Sequence, residues 1–180
     1  MLDVRRFDWT RSLGARIALV LAGSLLMALG ARVSVPIGEV PITLQPLALV
    51  LVAALLGPRL GVFAMLTYLA QGASGLPVFA GGYAGPQVLV GDSAGYLWAY
   101  PVAVYAIARL YEVGFNRNVV TRFVANLAGL AIVYAGGAAV LSFFVGPRAA
   151  IALGVVPFVV LDLAKMALAA FLPARGRRSA

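Results

Sequence analysis

The sequence predicts an all-α membrane protein: six transmembrane helices in a compact bundle, with both termini in the cytoplasm. Three observations predict it. Of 180 residues, 63% are hydrophobic and only 11% charged, with a mean hydropathy of +0.99; a soluble domain carries about 25% charged residues. The apolar residues fall into runs of about membrane-crossing length. The basic residues, finally, gather on alternate loops.

The runs are placed near 14–35, 42–56, 59–72, 93–113, 119–145 and 155–172, within one integral membrane domain covering 1–180. Shorter spans are tolerated where a helix is tilted or packed. The second and third runs are separated only by Gly57-Pro58, a breaker that reads as a tight reversal, so together they predict a helical hairpin. Arg5, Arg6, Arg11 and Arg16 flank the first run, which is long and has no clear small-residue cleavage site after it, so it reads as a span and not a removable signal.

With six spans, Arg5, Arg6, Arg11, Arg16, Arg59, Arg109, Arg117, Arg122, Arg175, Arg177 and Arg178 share one side, and only Arg32 and Arg148 lie on the other. Short loops rich in Lys and Arg stay cytoplasmic, which sets the orientation. The net charge of +8 has the same origin. It therefore predicts contact with anionic headgroups of the lipid bilayer and no nucleic-acid binding. The chain has no cysteine and no histidine, which removes thiol chemistry, the commonest metal ligand and the usual general base. No cofactor is expected, and a membrane enzyme relying on Asp162 and Lys165 alone is disfavoured.

Asp162 and Lys165 are the most informative residues. A spacing of three puts them on one face of an otherwise apolar helix, and each alone would cost roughly 2.5–3.5 kcal/mol at a bilayer centre. They serve either as an ion pair locking the helix to its neighbours or as the polar end of a ligand site. If the helix starts near Pro157, which suits a first turn, Asp162 lies about one and a half turns below the outer surface. A start near Ala149 would put it mid-bilayer and favour packing.

The outer side carries the unusual sequence. Residues 71–92 hold six glycines and two prolines, and yet Leu76, Val78, Phe79 and Tyr83 as well. That density breaks helices, and the apolar residues exceed what a solvated linker needs, so 73–91 is expected to fold back as an outer lid. Pro36-Ile-Gly38-Glu39-Val-Pro41-Ile-Thr43-Leu-Gln45-Pro46 leads into the second span on the same face. For Pro36, Pro41, Pro58 and Pro86 turn chemistry suffices. Lid, charged pair and polar lead-in converge on an outward-facing ligand pocket.

In order along residues 28–172, Pro41-Ile-Thr43-Leu-Gln45-Pro46, Gly57-Pro58-Arg59-Leu-Gly61, Gly75-Leu76-Pro77-Val-Phe79-Ala-Gly81-Gly82, Gly95-Tyr96-Leu97, and Pro157-Phe158 with Asp162 and Lys165 resemble the BioY family. The resemblance implies a biotin-specific S component of an energy-coupling factor (ECF) transporter, serving biotin uptake and partnered by a T-component membrane protein and two ABC-type ATPases. The chain lacks a phosphate-binding Gly-x-x-x-x-Gly-Lys-Ser/Thr loop of its own. By the resemblance, Asp162 and Lys165 meet the ligand's polar groups: a carboxylate accepts from ureido N–H groups, and an ammonium donates to a carbonyl or carboxylate. Gln45 and Thr43 are further polar candidates. Phe79, Tyr83 and Tyr96 would cover the apolar bicyclic ring, although Phe79 could equally be loop packing and Thr43 is better explained structurally.

Gly14, Ala18 and Ala22 recur every four residues in the first span and would let another helix approach closely. They pack either within the bundle or, as the resemblance implies for an Ala-xxx-Ala motif, against the T component. One departure stands out: Gly91-Asp92-Ser93-Ala94-Gly95-Tyr96 replaces the expected Gly-Pro-Thr-Gly-Gly-Tyr. Asp92 is then expected to cap the fourth span. Two alternatives are an S component for another vitamin such as lipoate and a ligand-free structural subunit of a membrane complex.

Overall fold

The computed structural model describes residues 12–36 and 40–172. Arg5, Arg6, Arg11, Arg175, Arg177, Arg178, Gly38 and Glu39 lie outside the described residues. Six helices follow one another: α1 (Leu13–Arg32), α2 (Gln45–Ala73), α3 (Ala94–Leu110), α4 (Val119–Val145), α5 (Pro147–Gly154) and α6 (Val156–Ala170). Two short strands, β1 (Ser34–Val35) and β2 (Ile42–Thr43), pair antiparallel between α1 and α2.

Helix α2 is two helices in one. Gly57 has φ 75° and ψ −177°, a backbone conformation open essentially to glycine alone, and Pro58 behind it opens a new first turn. The Gln45 amide reaches the Tyr68 hydroxyl at 2.9 Å. In a straight helix residues so far apart would be separated by about 35 Å at 1.5 Å per residue. The chain therefore reverses at Gly57, giving two antiparallel arms, as the breaker predicts.

Counting both arms, the chain runs up and down as six rods, the last formed by α5 and α6, which meet at a 42° bend. By length and apolarity α1 and α4 each qualify as membrane-crossing and the bent α5–α6 pair makes another candidate, whereas the apolar length of α2 is divided between its two arms. Helix α3 is shorter but continues into a π turn at Tyr111–Phe115. The main packing runs α1 on α2, α2 on α3 and α3 on α4, and α6 closes the bundle by touching both α2 and α4. Leu13, Ile17, Leu21, Leu25 and Leu29 of α1 and Phe143 of α4 face outward, as a lipid solvent allows.

Several boundaries differ from the sequence reading. The first span ends at Arg32 and the second begins at Gln45, because the intervening Ser34–Val35 and Ile42–Thr43 are taken up in the strand ladder. For the last span neither expected start holds alone. Pro147 opens α5, the helix breaks at Val155, and α6 restarts at Val156 with Pro157 in its first turn. Asp92 does not cap α3: the cap position is Ser93, without a side-chain bond, and the Asp92 carboxylate accepts instead from the Ser93 N–H at 2.6 Å.

The alternation of rods sorts the described cations. Arg16, Arg59, Arg109, Arg117 and Arg122 fall at one end, and Arg32 and Arg148 at the other, with the glycine-rich 74–93 segment. At the basic end, Arg122 donates to the Ala170 carbonyl (2.7 Å). There Asn126, wholly buried, donates to Met166 O (3.1 Å) and accepts from the Tyr111 hydroxyl. These bonds satisfy carbonyls in the last turn of α6 and tie it to α4.

Candidate functional site

At the opposite end the rods splay around a cavity of about 460 Å³, within the range of small-molecule sites. Its roof is 74–93, folded back over the bundle with two 3-10 turns at Ala80–Gly82 and Pro86–Leu89. Phe79 anchors this roof. It is buried to 1% exposure, sits on Gly72 and meets Tyr68 edge-on, with ring centroids 5.5 Å apart and planes at 87°. The same ring lines the cavity, so Phe79 packs the loop and faces the interior together.

Asp162 lines the cavity from α6, six residues and about 9 Å along the axis from Val156. It is 3% exposed. Its Oδ1 accepts from the Lys165 ammonium at 2.7 Å and its Oδ2 from the Tyr134 hydroxyl of α4 at 2.8 Å. The ammonium also donates to the Thr43 carbonyl at 2.6 Å. A buried carboxylate thus lies between a cation and a hydroxyl, the pairing under which burial of charge is tolerated. Each of its oxygens keeps a further acceptor position.

Lys165 is not among the cavity-lining residues. It ties α6 to the strand that leads into α2, and both of its partners, Asp162 and the Thr43 carbonyl, belong to cavity-lining residues. Thr43 precedes the cap position of α2, Leu44, and its hydroxyl accepts from the Gln45 N–H at 3.2 Å and donates to Gln45 Oε1 at 3.3 Å. Gln45 lines the cavity and is fixed from both ends, since its amide donates to the Tyr68 hydroxyl, which in turn donates to Val78 O at 3.2 Å. That chain of bonds joins the first arm of α2 to the second arm and to the roof.

Tyr96 and Tyr100, one turn apart on α3, form the opposite wall with Phe158. Tyr96 spends its hydroxyl on the Gly154 carbonyl at the α5–α6 break, at 2.7 Å, satisfying a helix-end acceptor and leaving its ring to the cavity. Tyr83 is 69% exposed and stands at the mouth.

Three residues that the sequence reading did not single out complete the site. Tyr134 holds Asp162, Tyr68 holds Gln45, and Tyr100 lines the cavity with a hydroxyl that has no protein partner among the described residues. Their only advance signal is chemical: a tyrosine inside an apolar run must place its O–H on something. The structure thus brings Asp162, Gln45, Thr43, Phe79, Tyr83 and Tyr96 together around the cavity and bonds Lys165 to Asp162 and Thr43. Gly14, Ala18 and Ala22 are far from the cavity and exposed along α1. Packing inside the bundle falls to Gly23, Met27, Gly30 and Ala31 instead.

What such a cavity does chemically is receive a mostly apolar ring through its aromatic walls and fix one polar edge against a carboxylate. Residues 5–180 match the BioY family. The chain belongs to the BioY family. It is 42% identical to the biotin transporter BioY of Thermotoga maritima over 160 residues, covering 87% of this chain and 94% of that one. It is 39% identical to the probable biotin transporter BioY of Pyrococcus horikoshii, covering 88% and 94%. The fold matches the crystal structure of the S-component for biotin from an ECF-type ABC transporter with a TM-score of 0.77 and 25% identity, over 88% of this chain and 90% of that one. Like these relatives, this BioY protein is a multi-pass protein of the cell membrane, and the cavity described above occupies its lid end.

Proposed function

We propose that this BioY protein is the biotin-binding membrane subunit of an ECF-type transporter, taking biotin from the outer face. The observation that carries the reading is Asp162: a carboxylate pinned by Lys165 and Tyr134 at the inner end of an aromatic-walled cavity. A ureido ring offers an N–H donor on either side of its carbonyl, and Asp162 has an acceptor position left for one of them. Such charge-assisted bonds are about twice as strong as neutral ones. The unpartnered Tyr100 hydroxyl is available to the ureido carbonyl. Tyr96, Phe79 and Phe158 supply apolar surface for the fused rings. Lys165 acts through Asp162, holding its carboxylate in place.

The orientation supports uptake. The described arginines are concentrated at the end away from the cavity, which makes that end cytoplasmic and opens the cavity outward beneath the 73–91 lid. Energy comes from partners, since the sequence has no phosphate-binding loop. The exposed small-residue face of α1, with open space beside Gly14 and with Ala18 and Ala22 above it, suits close approach of a T-component helix, itself coupled to two ABC-type ATPases. Catalysis by the chain is not part of this reading.

Calorimetric titration of the detergent-purified protein with biotin, lipoate, thiamine and riboflavin tests it. Saturable one-to-one binding of biotin and of none of the others is expected. Binding of lipoate in its place would make this an S component for another vitamin, and no binding of any of the four would overturn the receptor reading.

A further inference from the structure

The polar groups of the cavity lie at two depths. Asp162 lies about 9 Å below the lid-end start of α6, and Tyr100 an equal distance below the start of α3 at Ala94. Asp92 lies above that start, at the mouth, with Ser93, Gln87 and Tyr83. The two carboxylates thus line one cavity from different elements, Asp162 from within α6 and Asp92 from just before α3.

Their surroundings differ. Asp162 has a cation of its own, whereas Asp92 has only the Ser93 N–H on its Oδ1. Lys165 pairs with Asp162 and Arg109 with Glu112, and among the described residues Asp92 has no ion-pair partner. Among the described residues no lysine or arginine lines the cavity. Arg32, on the same end, is exposed and directed at Gly82, coming within 4.0 Å of where a Cβ on that residue would lie, and it does not line the cavity.

A ligand whose ureido edge is seated on Asp162 directs its acyl tail toward the mouth. A free tail carboxylate would arrive beside Asp92 with no cation in the wall, and like charges at close range in a site of reduced dielectric repel strongly. An amide in its place brings an N–H donor to the same carboxylate.

We infer that Asp92 sets tail specificity, and that the cavity prefers biotin whose carboxyl is tied up in an amide, as it is when joined to a lysine side chain. This rests on the biotin reading above. The chemistry that supplies such a ligand is proteolysis of a biotin-carrying protein, which leaves the amide to the lysine intact.

The test is parallel titration of the purified full chain and its Asp92→Asn variant with biotin, biotinamide and ε-N-biotinyl-lysine. The wild type is expected to bind biotinamide at least tenfold more tightly than biotin. In Asp92→Asn the ratio should fall toward one, through a gain in biotin affinity. Equal or tighter binding of free biotin by the wild type overturns the inference and leaves the biotin reading standing, as would happen if Arg32 swung in to meet the carboxylate. A ratio unchanged in the variant removes Asp92 from the role. Failure of all three ligands to bind overturns the underlying biotin reading instead.

Discussion

Replacing Asp162 by Asn keeps the shape of the side chain and removes its charge, and the structure separates the two consequences. On the ligand side, hydrogen bonds to a charged acceptor are worth about 1.5–3 kcal/mol. Their loss should weaken biotin binding by about 10- to 150-fold at 1.4 kcal/mol per decade. On the folding side, Lys165 is left with the Thr43 carbonyl and a neutral amide in place of a carboxylate at 2.7 Å. Its side chain is 12% exposed and that of Asp162 5%. Stranding one member of a buried pair costs about 3–5 kcal/mol, so the ligand-free variant should also melt at a clearly lower temperature. The double variant Asp162→Asn/Lys165→Met resolves the two, because removing both charges can be nearly neutral for stability. It should recover most of the melting temperature in detergent and none of the affinity. A double variant that binds biotin as the wild type does would show the pair to be a structural tie and refute the reasoning.

Tyr134→Phe removes one hydrogen bond to Asp162 without disturbing the ion pair. Titration should show about a tenfold loss, from roughly 1.5 kcal/mol for a bond to a charged group. Gly137→Ala places a methyl 2.0 Å from the Tyr96 ring. The ring must move, the bond to Gly154 O breaks, and both melting temperature and affinity should fall. Gly57→Ala meets no neighbour within 4 Å, so its effect isolates the backbone: forcing a Cβ into a glycine-only conformation costs about 1–3 kcal/mol. A lowered melting temperature is expected there, while Gly14→Ala, in open space within a regular helix, should leave it unchanged.

The parts of this molecule that could be read in the sequence are those where one residue type has one physical explanation in a membrane. Asp162 and Lys165 stand out because charge in an apolar run is expensive. Gly57-Pro58 does so because no continuous helix passes through it in that conformation. The α4 helix, Val119–Val145, covers the run expected of it for the simpler reason that nothing breaks the run. The missed features are those whose signal lies in a distant partner. Thr43 matters through its backbone carbonyl, which meets an ammonium 122 positions away, and a carbonyl carries no sequence signature. Tyr68, Tyr100 and Tyr134 look like ordinary core aromatics until the fold aims their hydroxyls. The strand ladder at Ser34–Val35 and Ile42–Thr43 is too short to show an alternation. Lys165 was visible for the same reason as Asp162, but its second bond, to the Thr43 carbonyl, depends on side-chain direction along the helix, which spacing alone does not give.

The most direct test of the central claim is a structure of the protein with biotin bound. The account predicts one ureido N–H within hydrogen-bonding distance of an Asp162 oxygen, the fused rings against Tyr96 and Phe79, and the tail rising toward Asp92. Biotin seated in the reverse sense, with its tail carboxylate at Lys165 and its ureido ring at the mouth, would contradict it.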